Sequence, residues 1–474
     1  MLRRSLRLLR NVTMARDAPE NPLIIILGAT GTGKSELAID LATRYNGEVI
    51  NSDAMQMYEG LPIITNKATL EEQKGIPHHL LGFISLDEEP WRVGLYKEKA
   101  SKIIREIRSR GRLPIVVGGT HYYTQSLLFR NVLLPEQRKD GDDSEDIQYG
   151  FSTQEIDKKF PILAGPTEEM LQRLREVDPI MADQWHPNDR RKIRRSLEIF
   201  LMSGKKASDT YEDQRLEKVK RKTEAENLNA TDATREIGSP LLFWVHSEAE
   251  VLKQRLDARV HKMILSGLLD EVKSMDRFLR TKLDSGVEVD RTRGIWVSIG
   301  WKEYEPYLNA AASSISPEMH EKLLEASLVL VQTATRQYAR RQTRWIRGKL
   351  IPELLKEEIL DKLYLLDGTN LQAWSDSVSK PALNITEAFL TGEPIPVPAE
   401  LSDAAREILC QDWPASPTSA VRHECDLCHV VVVVEDQWQK HLQSRTHRRM
   451  VRKGLASARR PKTKPTPEGG NGEK

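Results

Sequence analysis

Cysteine is almost missing from this chain: three in 474 residues, at Cys410, Cys425 and Cys428. So few exclude a disulfide framework and indicate a reducing compartment. No apolar run reaches the roughly 18 residues of a membrane-spanning helix, so the sequence implies no membrane association. A strong charge imbalance is missing too. The formal net charge is only +2, from 71 basic and 69 acidic side chains, so any nucleic-acid partner must be read from local clusters. What is present is enough for a core. Hydrophobic residues make up 39% of the chain, including 9 Trp, 8 Phe and 11 Tyr, and the length suits two or three domains.

The densest chemistry lies near the N-terminus. The apolar run Leu23-Ile24-Ile25-Ile26-Leu27 leads directly into Gly28-Ala29-Thr30-Gly31-Thr32-Gly33-Lys34-Ser35, and a helical pattern follows. This is the G-x-x-x-x-G-K-S/T phosphate loop in its required strand-to-helix context. Its glycines let backbone N–H groups turn around an anion, Lys34 adds a point charge, and the Ser35 hydroxyl suits Mg²⁺. Gly28, Thr30, Gly31, Thr32, Gly33, Lys34 and Ser35 are therefore expected to cradle phosphate groups, and the loop by itself does not name the molecule that carries them. A second short strand, Glu48-Val49-Ile50, ends in Asn51-Ser52-Asp53-Ala54-Met55-Gln56-Met57-Tyr58. A carboxylate there faces the crevice where α/β sheets bind ligands. On local sequence Asp53 could hold Mg²⁺, orient a ribose, act as a base, or be a solvated turn residue. A third strand, Pro114-Ile115-Val116-Val117, feeds Gly118-Gly119-Thr120-His121. Three strand ends thus converge on one rim carrying Lys34, Asp53 and Thr120.

In order along the chain, GATGTGKS, NSDAMQMY, PIITNK (62–67), PIVVGGTHYY (114–123), HPNDRRKIRRSLEIF (186–200), SIGWKEY (298–304) and TRQYARRQTRWIRGK (335–349) resemble the motif set of the tRNA dimethylallyltransferases. The resemblance covers about residues 22–350, and the C-terminal extension resembles the eukaryotic branch with its zinc finger. It implies transfer of a dimethylallyl group from dimethylallyl diphosphate to N6 of the tRNA adenosine adjacent to the anticodon, releasing diphosphate. It further implies catalytic roles for Asp53 on the amine proton and for Thr120 and Arg336 on the diphosphate. Ala54, Met55 and Gln56, with Asp53, fall to the target nucleotide. Some relatives carry Ser at the position of Ala54.

Two basic stretches fit tRNA. Arg336, Arg340, Arg344 and Arg347 recur along one helix face, with Tyr338 and Trp345 beside them and no acid between 326 and 351. Arg190, Arg191, Lys192, Arg194 and Arg195 crowd the first turns of a helix capped by Asn188-Asp189, where cations oppose the helix dipole. Arg191, Lys192, Arg195, Arg340 and Arg344 are the tRNA-binding candidates; a solvated face is the bland alternative.

Near the C-terminus, Cys425-x2-Cys428-x12-His441-x5-His447 matches a Cys₂His₂ zinc site. Four protein ligands close the shell, so the Zn²⁺ would be structural. Val430–Val434 reads as its strand and residues 436–447 as one helix presenting both histidines. From Lys440 to Lys464 ten Lys/Arg and no acid form a stripe suited to a phosphate backbone, a nuclear-import signal or a solvated tail. At the other end, residues 1–16 hold five arginines and no acid, with Leu2, Leu6, Leu9 and Val12 on one helical face. That composition suits a mitochondrial presequence or a basic tail, and a start at Met14 would give cytoplasmic and nuclear forms.

The expected fold class is α/β: a P-loop-type parallel sheet flanked by helices, with a mainly helical insertion and a C-terminal Cys₂His₂ finger. The expected divisions are a presequence over 1–21 and a prenyltransferase domain over 22–350. A tRNA-binding insertion occupies about 154–240. A connector over 351–420, the finger over 421–452 and a basic tail over 453–474 complete the chain. Residues 136–160 read as a flexible acidic insertion. No segment announces a protein partner, and the chain reads as a monomer. Two other classes compete: a P-loop kinase or NTPase with an RNA-binding tail, and a non-catalytic zinc-finger RNA-binding protein. The first expects a Mg²⁺-binding Asp where Gly118-Gly119-Thr120 stands, and the second expects a damaged loop.

Overall fold

A computed structural model describes residues 18–89, 91–129, 153–213, 216, 238–311, 316–411, 413, 422–428, 430–433 and 435–458. Residues 1–17 of the expected presequence, the acidic run at 140–146, most of 204–238 and the tail beyond 458 lie outside these residues. The chain divides into two compact units, Met1–Glu136 with Lys218–Ser416, and Gln137–Glu217 with Pro417–Lys474.

The first unit is built on a parallel sheet. Its strands are β1 (Pro22–Gly28), β2 (Gly47–Asn51), β3 (His78–His79), β4 (Leu113–Val117), β5 (Ser239–His246) and β6 (Leu363–Asp367), in the order β3-β2-β4-β1-β5-β6. Short apolar runs become strands here because both sheet faces are covered, so alternate side chains serve different cores. Ile24, Ile26, Leu241, Phe243 and Val245 pack with Leu37 and Leu41 of helix α1 (Lys34–Arg44). Leu23, Ile25, Leu27, Leu242 and Trp244 pack on the opposite face with Tyr96 and Ile104 of α2 (Val93–Ser109) and Leu127 of α3 (His121–Leu128). Each such side chain contributes about 1.5–3 kcal/mol on burial. Because β1 lies between β4 and β5, the segments leaving β1, β2 and β4 meet at one end of the sheet, at the switch in strand order.

Residues 351–411 of the expected connector belong to the sheet and its core. They supply β6, which pairs with β5 from Leu242↔Leu363 to His246↔Asp367. The run Leu363-Tyr364-Leu365-Leu366 needs a sheet edge to cover it, and β5 offers one. Val378, Ala382, Ile385 and Phe389 from the same stretch cover the sheet beside α1.

The second unit contains α4 (Thr153–Lys159), α5 (Thr167–Val177), α6 (Pro179–Gln184) and α7 (Arg190–Ser203). Their apolar faces share a core of Ile156, Leu163, Met170, Leu174, Met181, Ile193 and Leu197. Residues 153–159 are therefore helical, not the flexible end of an acidic insertion. Ile156 is buried, and Asp157 pairs with Arg194 at 2.7 Å. Asp189 caps α7 as expected, its Oδ1 accepting the Lys192 N–H at 3.3 Å.

Candidate active site

The first unit continues through α8 (Ala249–Leu265), α9 (Leu268–Asp284) and the long α11 (Pro317–Trp345), with α10 (Trp301–Ala311) between the last two. Helices α8 and α11 both reach the phosphate loop. The loop turns through Gly33, whose φ of 91° is left-handed. Any Cβ there would lie 2.3 Å from the Trp374 ring, so glycine is required for both reasons. Lys34 is buried at the start of α1, and its Nζ donates to Ala29 O at 2.6 Å. Burial, opposed by the nearby Asp53 and reinforced by Arg259, lowers its pKa to about 8. Thr32 Oγ1 donates to the same Ala29 carbonyl at 2.9 Å. Ser35 is exposed on the first turn of α1.

Asp53 follows β2. Its N–H donates to Asn51 Oδ1 at 2.9 Å, and its own Oδ1 accepts the Met55 N–H at 3.1 Å. Burial raises the carboxyl pKa, opposed by that N–H and by the Lys34 charge. Thr120 joins the two strand ends. Its N–H donates to Ser52 O at 3.1 Å, and its Oγ1 accepts the Ala54 N–H at 3.1 Å. Gly119 makes this convergence possible, since a Cβ there would lie 2.3 Å from Gln342 Nε2 and 2.8 Å from Asp53 Oδ2. The structure thus brings Lys34, Asp53 and Thr120 onto one rim.

Three further residues complete the site: Gln342 and Arg259, which the sequence did not single out, and Tyr338, which it placed only beside the arginine face. Gln342 on α11 bridges two strand ends: its Oε1 accepts the Thr30 N–H at 2.7 Å and its Nε2 donates to Gly119 O at 3.0 Å. Arg259 on α8 donates to Thr30 Oγ1 at 2.9 Å, and burial lowers its pKa to about 10, opposed by Asp53. Tyr338 lies beside Gly119, its pKa raised by burial and then by Asp53. Only Gln342 and Tyr338 had a signal, their place in the TRQYARRQTRW motif. The buried Lys34 and the half-buried Arg259, against the one half-buried carboxylate of Asp53, leave a site with surplus positive charge, matched to an anion.

The basic helix face on α11 divides. Arg336 is not without an acidic partner, because its Nη1 donates to both carboxylate oxygens of Asp257 on α8, each at 2.8 Å. Arg347 lies over the Trp244 ring at 6.0 Å, while Arg340 and Arg344 are exposed. Trp345 is tied to Gln125 Oε1 through its indole N–H at 3.2 Å.

In the second unit, Arg190 donates to the carbonyls of Leu163, Ala164 and Gly165, and Arg194 to that of Leu163. These two cations stabilise a turn, so their place at a helix N-terminus has a structural reason. Lys192 pairs with Asp189 at 3.1 Å and lies over the Trp185 ring, and Arg195 pairs with Glu198 at 2.7 Å. Arg191 is exposed.

The Cys/His cluster is also in the second unit. Cys425, Cys428, His441 and His447 offer ligand atoms that all lie within 4.8 Å of one another. His447 Nδ1 is 3.5 Å from each sulfur, and the buried His441 Nε2 has no hydrogen-bond partner, so the donor set and the orphaned nitrogen fit a tetrahedral metal. The strands are β7 (His423–Cys425) and β8 (Val430–Val432), paired antiparallel. The histidines do not share one helix. His441 is on α15 (Glu435–Leu442) and His447 on α16 (Arg445–Ala458), and the Ser444 hydroxyl accepts the His447 N–H at 3.1 Å. On one continuous helix, a six-residue step would turn the two side chains about 120° apart. The break brings them together.

A carboxylate, a phosphate loop and two cations on the open end of a parallel sheet define a phosphate-loop transferase. Residues 56–349 match the IPP transferase family, and residues 21–88 match the isopentenyl transferase family. A tRNA dimethylallyltransferase of Schizosaccharomyces pombe is 35% identical over 452 residues, covering 93% of this chain and 97% of the relative. The tRNA dimethylallyltransferase of Saccharomyces cerevisiae is 33% identical, covering 92% and 93%. A crystal structure described as a eukaryotic dimethylallyltransferase acting on tRNA superposes with a TM-score of 0.71 at 32% identity, covering 93% of this chain and 98% of that one. The chain belongs to the tRNA dimethylallyltransferase family.

Proposed function

We propose that this enzyme transfers the dimethylallyl group of dimethylallyl diphosphate to the exocyclic N6 of a tRNA adenosine adjacent to the anticodon. The observation that carries this is the half-buried Asp53 carboxylate, held at the strand ends beside Gly119 and within reach of the Lys34 charge of the phosphate loop. The adenine amine is a poor nucleophile, because its lone pair is delocalised into the ring. The allylic carbon is a good electrophile, because positive charge on it is shared by resonance. The C1–O bond to diphosphate breaks, the N6–C1 bond forms, and the amine proton passes to Asp53. Lys34, Arg259 and the loop N–H groups hold the departing diphosphate, with Thr120 beside it. Ser35 is the residue placed to hold Mg²⁺, which when bound would neutralise diphosphate charge. The adenine must leave its stack to reach this rim, as in other base-modifying enzymes.

Arg340, Arg344 and Arg191 are exposed cations suited to tRNA phosphates, with Lys192 and Arg195 alongside Arg191. The direct test is incubation of the full chain with labelled dimethylallyl diphosphate and unmodified tRNA, with ATP as control. Label transferred to tRNA supports the reading, whereas phosphate turnover of ATP without tRNA labelling supports a kinase.

Cys425, Cys428, His441 and His447 would hold a structural Zn²⁺, and the basic stripe on α16 would contact tRNA. Deleting residues 421–474 is therefore expected to raise KM for tRNA and flatten the salt dependence of binding by about one unit of log–log slope per lost phosphate contact. Cys428→Ser should reproduce this by unfolding the finger, with kcat at saturating tRNA little changed. An unaltered KM and salt slope with mislocalisation in cells would make the stripe an import signal.

The N-terminal segment is proposed as a mitochondrial presequence. Residues 1–13 fused to a fluorescent reporter should reach mitochondria, while a chain started at Met14 should remain in cytosol and nucleus; a diffuse signal from the first fusion contradicts this.

A further inference from the structure

Residues 61–66 form a hydrogen-bonded turn whose end residues, Leu61 and Asn66, have left-handed backbone with φ of 48° and 53°. The Thr65 N–H donates to Leu61 O at 3.3 Å, the Asn66 N–H to Ile63 O at 3.0 Å and the Lys67 N–H to Pro62 O at 2.9 Å. A turn this short leaves its first N–H groups without internal acceptors. Glu271, on the first turn of α9, takes them: Ile63 N–H at 2.9 and 3.1 Å to its two oxygens, and Ile64 N–H at 2.7 Å. These are charge-assisted bonds to a carboxylate that also sits favourably at its own helix N-terminus. Ile64 is 6% exposed, so the turn is anchored by packing as well.

The far end of the same turn holds Gln56. Its Nε2 donates to Asn66 O at 2.9 Å and to Thr65 O at 3.3 Å. Both partners are carbonyls, so the amide can face them only with its NH₂ group. Gln56 Oε1 is left as a pure acceptor. Gln56 is also on the turn that follows Asp53, its N–H donating to Asp53 O at 3.2 Å. An acceptor fixed on the turn that follows Asp53 would select a hydrogen-bond donor, such as an exocyclic amine, and disfavour a carbonyl at the same place.

We propose that Glu271 is a positioning residue for the accepting nucleotide: it clamps the 61–66 turn, which in turn locks the Gln56 amide with its oxygen toward the substrate base. The inference rests on the tRNA-prenylating reading above. Glu271 touches neither substrate. It acts through three links, Ile63 and Ile64 N–H, the turn, and the Thr65 and Asn66 carbonyls.

The test is a double-mutant cycle in the full chain with Glu271→Gln and Gln56→Ala, read as KM for tRNA, KM for dimethylallyl diphosphate and kcat. Glu271→Gln should raise KM for tRNA about tenfold, since it removes charge-assisted hydrogen bonds from the clamp, and leave the donor KM unchanged. In the Gln56→Ala background the same change should have less than about a twofold effect, because the clamped amide is gone. Equal effects in both backgrounds, a parallel rise in donor KM, or no rise in tRNA KM would overturn the proposal. If Glu271→Gln loses cooperative melting, Glu271→Asp enters the same cycle, since it keeps the charge on a side chain one methylene shorter. A wild-type chain that transfers no label to tRNA removes the underlying function, and the inference with it. A wild-type chain that transfers normally while the cycle is additive removes the inference alone.

Discussion

Asp53→Asn is expected to lower the rate of prenyl transfer by about 10²–10⁴-fold while tRNA binding stays nearly intact. A carboxamide keeps the shape of the side chain and can still accept the Met55 N–H that Asp53 Oδ1 accepts now. It cannot take the amine proton. The direction of the pKa shift adds a pH signature. Burial raises the Asp53 pKa, so the carboxyl holds its proton at pH values where an exposed Asp would be ionised. Wild-type kcat should fall as pH falls through that raised pKa, and the Asn variant should lose this acid limb. Single-turnover rates near wild type in the variant, or an unaltered acid limb, would remove Asp53 from the role of base.

Lys34→Ala is expected to cost about 10²–10³-fold in kcat/KM for the diphosphate donor, with tRNA affinity spared. The ammonium is preorganised by its bond to Ala29 O and cannot be replaced by solvent in a buried loop. Its pKa of about 8 reflects burial, opposed by Asp53. The charged form prevails below that value and is lost above it, so wild-type donor kcat/KM should decline as pH rises past about 8. The alanine variant should show no such decline. A variant that loses tRNA affinity while keeping donor affinity would mean that the loop holds something other than the diphosphate.

Lys34, Asp53 and Thr120 were legible because each belongs to a short motif at the end of an apolar run, where strand, turn and functional group are contiguous. Arg259 was not. Its partner Thr30 is 229 residues away, and nothing in the charged helix around it marks that one arginine for burial. Gln342 stood inside a recognised motif, but the regular spacing of the neighbouring arginines drew the reading to charge. Arg190 and Arg194 misled in the same way. Their acceptors are backbone carbonyls of residues 163–165, and a carbonyl has no sequence signature. Arg336 has no acid near it in sequence, from 326 to 351, and its partner Asp257 comes from α8, with no sequence signature to join the two. The strand at 363–367 was passed over because a short apolar run acquires meaning only from the edge it joins. The finger was legible in its ligands and not in its helix break, which depends on Ser444 capping a second helix.

The bond from Thr30 to Gln342 spans 312 residues, and the Trp374 ring that covers Gly33 is later still. A ribosome reads in one direction, at about 5–20 residues per second. The phosphate loop therefore emerges early and waits roughly 15 seconds to a minute for the residues that complete it. For the first two thirds of that interval β1 has no β5 to cover its edge. A nascent chain arrested before α11 would carry every residue of the loop motif and no finished anion site. Catalytic competence thus waits until the chain has been made as far as Trp374, and a product terminated before α11 should be inert toward the prenyl donor even though its motif is intact.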